Sequence, residues 1–184
     1  MNRRQIFRTA AWLLAVTATA GVAVSAPWAA DPASKPDPAK VTPTATFVQD
    51  AVVGNLFEVE SSKLAADQAE SPAVKAFAKQ MIEDHSAAGV KLAEALNDAK
   101  LAKPPFKLDA KHKAIFDDLA AKKGRDFDKA YVDAQLKAHV EAVTLFEGYA
   151  ATGADPRLKT LAAELLPKLK AHLAMIEKMA GAKT

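Results

Sequence analysis

From Thr44 to the end of the chain, apolar residues recur every three to four positions and strand-type alternation is absent, so the pattern predicts helices throughout. The first, over about 44–68, carries Phe47, Ala51, Gly54, Glu58, Ser61 and Ala65 along one face. Ser71-Pro72 reads as a stop and restart, with Ser71 placed to cap and Pro72 at the first helical position. The second helix should reach about residue 99, with Val74, Ala78, Met81, His85, Ala88, Leu92 and Leu96 in phase. Lys103-Pro104-Pro105 interrupts the chain, and a shorter helix over about 109–122 sets Leu108, His112, Ile115 and Leu119 on one side, with Gly124 ending it. A third long helix over about 126–151 aligns Val132, Gln135, His139, Ala142, Phe146 and Tyr149. Gly153 and Asp155-Pro156 supply the next stop, N-cap and first-turn proline. The last helix, to about residue 179, aligns Leu158, Leu161, Leu165, Leu169, His172, Ile176 and Met179, and Pro167 is expected to kink it.

Four long helices and one longer connection, between the second and third, predict an all-α fold. It is a four-helix, ferritin-like bundle with a short extra helix in that connection, over residues 44–180. The pattern leaves open whether the connection runs the length of the bundle or turns locally.

Each apolar stripe carries one residue that is costly to bury alone: Glu58, His85, His139 and His172. At 1.5 Å per residue, Glu58 and His85 lie roughly 18 and 22 Å from the turn near residue 70, and His139 lies roughly 21 Å from the turn near residue 153. All three therefore fall near mid-height under either topology. His172 lies one to two turns off that layer and is the weakest member of the set. Three imidazoles and a carboxylate in a dry layer can ligate one zinc, iron, manganese or copper ion, with Gln135, a turn before His139, as a supporting partner. Glu83 and Asp84 are expected to point elsewhere. A dinuclear carboxylate site is disfavoured, because the chain has no Glu-x-x-His. Two readings stay open: a metal centre serving metal handling or stress protection, and a non-enzymatic envelope module in which the same residues form a buried hydrogen-bond network. His112 reads as a packing residue, and Tyr131 and Tyr149 as core aromatics with wet hydroxyls.

Composition narrows the chemistry. There is no Cys among the 184 residues, which removes disulfides, thiolate metal sites and a Cys nucleophile. No Gly-rich phosphate loop or hydrolase elbow occurs, and stripes filled with Ala, Leu and Val suggest no organic cofactor. The isoelectric point near 9.0 comes from Arg3, Arg4 and Arg8, because the remaining Lys and Arg balance the 22 acidic residues. Nucleic acid and anionic membrane surfaces are accordingly not expected partners.

The three arginines and the apolar run from Ala10 to Val24 read as an export signal over residues 1–30, with cleavage between 26 and 31 and a periplasmic destination. Arg3-Arg4-Gln5-Ile6-Phe7-Arg8 also fits a twin-arginine signal. Residues 31–43, with four prolines, read as an extended linker.

The run from Gly54 to Ala65, the run from Val74 to Glu83-Asp84-His85, Asp128-x-x-Tyr131-x-x-x-Gln135-x-x-x-His139 and Leu166-Pro167-x-Leu169-x-x-His172 together resemble the exported ferritin-like proteins catalogued as domain of unknown function 4142. The resemblance covers about residues 45–178. It implies a ferritin-like helical bundle in the bacterial periplasm or at the outer membrane, matched at Glu58, His85, His139 and His172. The family has no established reaction, and the set departs from the carboxylate-rich site of true ferritins.

Overall fold

A computed structural model of the chain describes residues 42–181. The predicted signal at 1–30 lies outside the described residues, as does the linker except for Thr42 and Pro43. The described residues form five helices and no strand: α1 (Thr44–Gln68), α2 (Pro72–Asp98), α3 (Ala110–Ala120), α4 (Gly124–Thr152) and α5 (Pro156–Gly181). None of these helices is long and apolar enough to cross a membrane.

The boundaries follow the local chemistry, with two corrections. Asp155 caps α5 as expected, its carboxylate accepting the N–H groups of Arg157 and Leu158, and Asp109 caps α3 by accepting from His112 N–H. Pro167 lies inside α5 without ending it. Ser71, however, makes no side-chain cap. The carboxylate of Asp128 on α4 instead holds the turn ahead of the helix, accepting from Glu70 N–H at 3.0 Å and Ser71 N–H at 2.7 Å, which ties the α1–α2 turn to the start of α4. Gly124 does not end α3; with φ of +58° it opens α4, a left-handed conformation that glycine adopts without steric cost.

α1 packs against α2 and α4, α5 packs against α4 and α2, and α3 lies on α1 and α4. Cross-helix contacts give the directions. The Thr44 hydroxyl meets the Tyr149 hydroxyl and the Ser62 hydroxyl meets that of Tyr131, each at 2.8 Å, so α1 and α4 are antiparallel. Asp84 with Lys168 and Lys91 with Glu164 set α2 antiparallel to α5. The three-residue turns after α1 and before α5 make those neighbours antiparallel too. It follows that α2 and α4 run the same way, and residues 99–123, including α3, carry the chain back along the full length of the helices. The alternative of a local turn is thereby excluded.

The core has two apolar clusters. One gathers Phe47, Leu92, Leu96, Phe146, Tyr149 and Leu158; the other gathers Phe77, Met81, Leu119, Phe127, Tyr131 and Ile176. Between them lie Glu58, Ser61, His85, Gln135, His139 and His172, all buried. α1 buries more than one stripe, Leu56 and Phe57 included, because α3 covers its outer side and sets His112 against the Phe57 ring. The tyrosine hydroxyls are not wet as expected: both side chains are fully buried and each hydroxyl is bonded to a hydroxyl of α1.

Asp128→Ala should lower unfolding free energy by about 2–4 kcal/mol, because two charge-assisted bonds are lost and two N–H groups are left without partners. Urea denaturation of the variant checks this. A midpoint unchanged from wild type would show that the turn does not depend on the clamp.

Candidate metal centre

Glu58 on α1, His85 on α2, His139 on α4 and His172 on α5 meet in the polar layer. His85 Nδ1 lies 3.0 Å from Glu58 Oε2 and 3.2 Å from Asn55 Oδ1. Both are acceptors, so the ring hydrogen sits on Nδ1 and Nε2 carries a lone pair. His139 Nδ1 donates to the Gln135 carbonyl at 2.9 Å, with Glu58 Oε1 further off at 3.4 Å. His172 is the reverse tautomer: its Nε2 donates to Asp84 Oδ2 at 2.9 Å. His85 Nε2, His139 Nε2 and His172 Nδ1 are then buried with no hydrogen-bond partner. The ring centroids stand 5.3, 5.5 and 5.6 Å apart, close to an equilateral triangle. One nitrogen from each ring falls within 4.8 Å of the other two, a group that does not include Glu58.

Side-chain direction explains why His172 joins the layer although its backbone lies above it. Side chains lean toward the N-terminus of their own helix. α5 runs opposite to α2 and α4, so His172 leans back toward the layer while His85 and His139 lean to meet it, closing an offset of roughly 7 Å between the backbones. Glu58, on a helix that also opposes α2 and α4, leans the other way past those two rings. Its Oε2 therefore reaches His85 Nδ1, while its Oε1 stays 3.4 Å from His139 Nδ1 with no hydrogen-bond partner, and the outer ring nitrogens are left free.

The electrostatics favour a cation. Burial pushes the Glu58 carboxyl up, but His85, His139 and His172 outweigh it and bring it down to about 2. Burial lowers His85, yet the Glu58 carboxylate more than compensates and the imidazole is raised. Burial lowers His172, and the adjacent His85 and His139 overcome the help of Asp84, taking it down to about 4. Burial raises Asp84, but hydrogen bonds from Lys168 and His172 hold it below the usual carboxylate range. Near neutral pH the layer thus presents neutral His172 beside an ionised Glu58. Each ring is oriented by an acceptor behind it, His172 is neutral, and at His85 a bound cation would take the place of the ring's second proton; this is the donor set and support that metal ligation requires.

Gln135 supports His139 through its backbone carbonyl, while its side-chain amide donates to Ser61 Oγ at 2.9 Å. Sequence reasoning missed Asn55 and misjudged Asp84, which faces α5 and holds His172. The available signal was Lys168 one turn before His172, two nitrogen donors on one face of α5 in need of an anion from the facing helix.

Residues 29–179 match the family model described as domain of unknown function DUF4142, and the chain belongs to that family. No curated protein gives a significant match. Among solved structures, a DUF305 protein from Streptomyces coelicolor is similar at 16% identity and a TM-score of 0.61, covering 72% of this chain and 87% of its own. A DUF305 fragment from Deinococcus radiodurans is similar at 13% identity and a TM-score of 0.62, covering 77% and 100%. CopM in its Cu(II)-bound form is similar at 16% identity and a TM-score of 0.61, covering 73% and 93%. At these identities the likeness establishes a shared fold.

In metal-free protein Glu58 should make stability acid-sensitive. Its folded value of about 2 lies below the ordinary 4.5, so the unfolded chain takes the proton first. The stabilisation is complete above pH 4.5 and is lost as pH falls toward 2, on the order of 3 kcal/mol. Glu58→Gln should flatten that part of the curve in urea titrations at pH 6, 4 and 3. Equal slopes for the two proteins would uncouple the Glu58 charge from folding.

Proposed function

We propose that this protein is an exported, ferritin-like four-helix bundle that binds one transition metal ion through His85, His139 and His172 and serves metal handling or stress protection in the periplasm. The observation that carries the reading is that each of the three buried rings keeps one nitrogen with no partner, and that the same three rings each bring a nitrogen within 4.8 Å of the other two. A buried acceptor without a donor costs about 1–3 kcal/mol, and a bound cation offsets all three costs at once. A closed hydrogen-bond network would leave no such atoms, which weighs against the purely structural alternative.

Glu58, first considered as a ligand, is better suited to orienting His85 and balancing the charge of the ion. Without it the donor set is all imidazole, which suits copper and zinc better than iron or manganese, and copper stands highest in intrinsic affinity. The similar CopM structures are described as Cu(I)-, Cu(II)- and Ag-bound, which supports the same preference. The connection that returns along the helices supports the ferritin-like topology, and the basic, then apolar, first thirty residues support export.

Protein purified from the native periplasm should contain about one copper per chain by elemental analysis, with nitrogen-dominated coordination by X-ray absorption. His139→Ala should abolish binding, and Glu58→Gln should keep the stoichiometry while weakening affinity roughly 10–100-fold. Wild-type protein that takes up neither copper nor zinc at micromolar concentration would sink the proposal.

A further inference from the structure

The histidine layer opens onto a cavity of about 920 Å3 whose lining includes Glu58, Asp84, His85 and His172. On the α1–α4 side, α3 lies across the helices, with His112 against Phe57 and Lys111 paired to Glu141 at 2.6 Å, and these α3 residues and Glu141 line the same cavity. The α2–α5 seam is bridged by side chains: Lys91 pairs with Glu164, and Lys168 with Asp84, and all four line the same cavity. Ala87 and Ala88 on α2 line the cavity beside them.

Asp84 belongs to both the seam and the site. Its side chain is 18% exposed, its Oδ1 accepts from the Lys168 ammonium at 2.9 Å, and its Oδ2 accepts from the buried His172 ring at 2.9 Å. Resting on the metal-binding reading above, we propose that Asp84 and Lys168 form the gate through which the cation is admitted across the α2–α5 seam. The incoming ion exchanges with the Lys168 ammonium on Asp84 and then passes to the imidazoles. Lys168 is 57% exposed, and an ion pair this open to solvent is weak and breaks readily. In the closed state the ammonium stands in for a cation on Asp84 and repels others. Once it swings away, the carboxylate offers a hydrated ion an anionic stop one hydrogen bond from His172.

Stopped-flow uptake of copper(II) by the mature chain, followed to equilibrium, tests the gate. Lys168→Met should accelerate uptake two- to five-fold at low salt with stoichiometry unchanged, and the gain should shrink in 0.5 M salt. Asp84→Asn should slow it. Lys170→Met is the control: Lys170 also sits on α5, but it pairs with Glu147 on α4 outside the cavity lining, and its rate should equal wild type. Uptake by Lys168→Met no faster than by Lys170→Met overturns the gate while leaving the metal centre standing. Wild type that binds no ion overturns both.

Discussion

Three buried imidazole nitrogens, each held in its tautomer by an acceptor behind the ring and each lacking a partner in front of it, set the terms for everything around them. A polar layer of this kind interrupts the core, and the apolar clusters on either side have to supply the stability that the layer does not. The aromatic and aliphatic side chains of those clusters contribute about 1.5–3 kcal/mol each when fully buried, so a few of them offset the cost of the unpaired atoms. Apolar packing and the polar layer are thereby separated along the helix axis, with the packing at both ends and the layer between.

Much of this organisation is legible in the sequence, for reasons specific to certain residues. Asp155-Pro156 and Asp109 mark helix starts because capping is a local interaction that needs nothing beyond the neighbouring turn. Glu58, His85 and His139 stand out because a polar residue in phase with an apolar stripe has to face the core, and counting from the turns gives its height. What counting cannot give is the direction in which a side chain leans, since that depends on which way each helix runs. His172 therefore looks displaced in the sequence and is central in the structure, while the Glu58 carboxylate lies against the Nδ1 side of His85. Asp84 and Asn55 are off the stripes, and only the docking of neighbouring helices reveals their roles. Asp128, which clamps the α1–α2 turn, is hidden for the same reason: its partners lie 57 and 58 residues away.

The family assignment and the structural neighbours fix the architecture without fixing a reaction. At 13–16% identity an arrangement of helices is retained while side chains are free to change. The case for metal therefore rests on the imidazoles of this chain, their tautomers and the carboxylates beside them.

The distribution of the three rings along the chain has a mechanical consequence. α1 and α2 form one helical hairpin and α4 and α5 another, and the first supplies His85 while the second supplies His139 and His172. The two halves are joined covalently only by residues 99–123, and the α2–α5 seam has no turn of its own. An ion gripped by all three rings would act as a removable cross-link between positions 85 and 172. Because the fold has already closed that long loop, the ion would add strength without bearing the entropy of closure. Loading would tighten the juncture of the two hairpins and release would loosen it, so occupancy would be legible from outside as the stiffness of the seam.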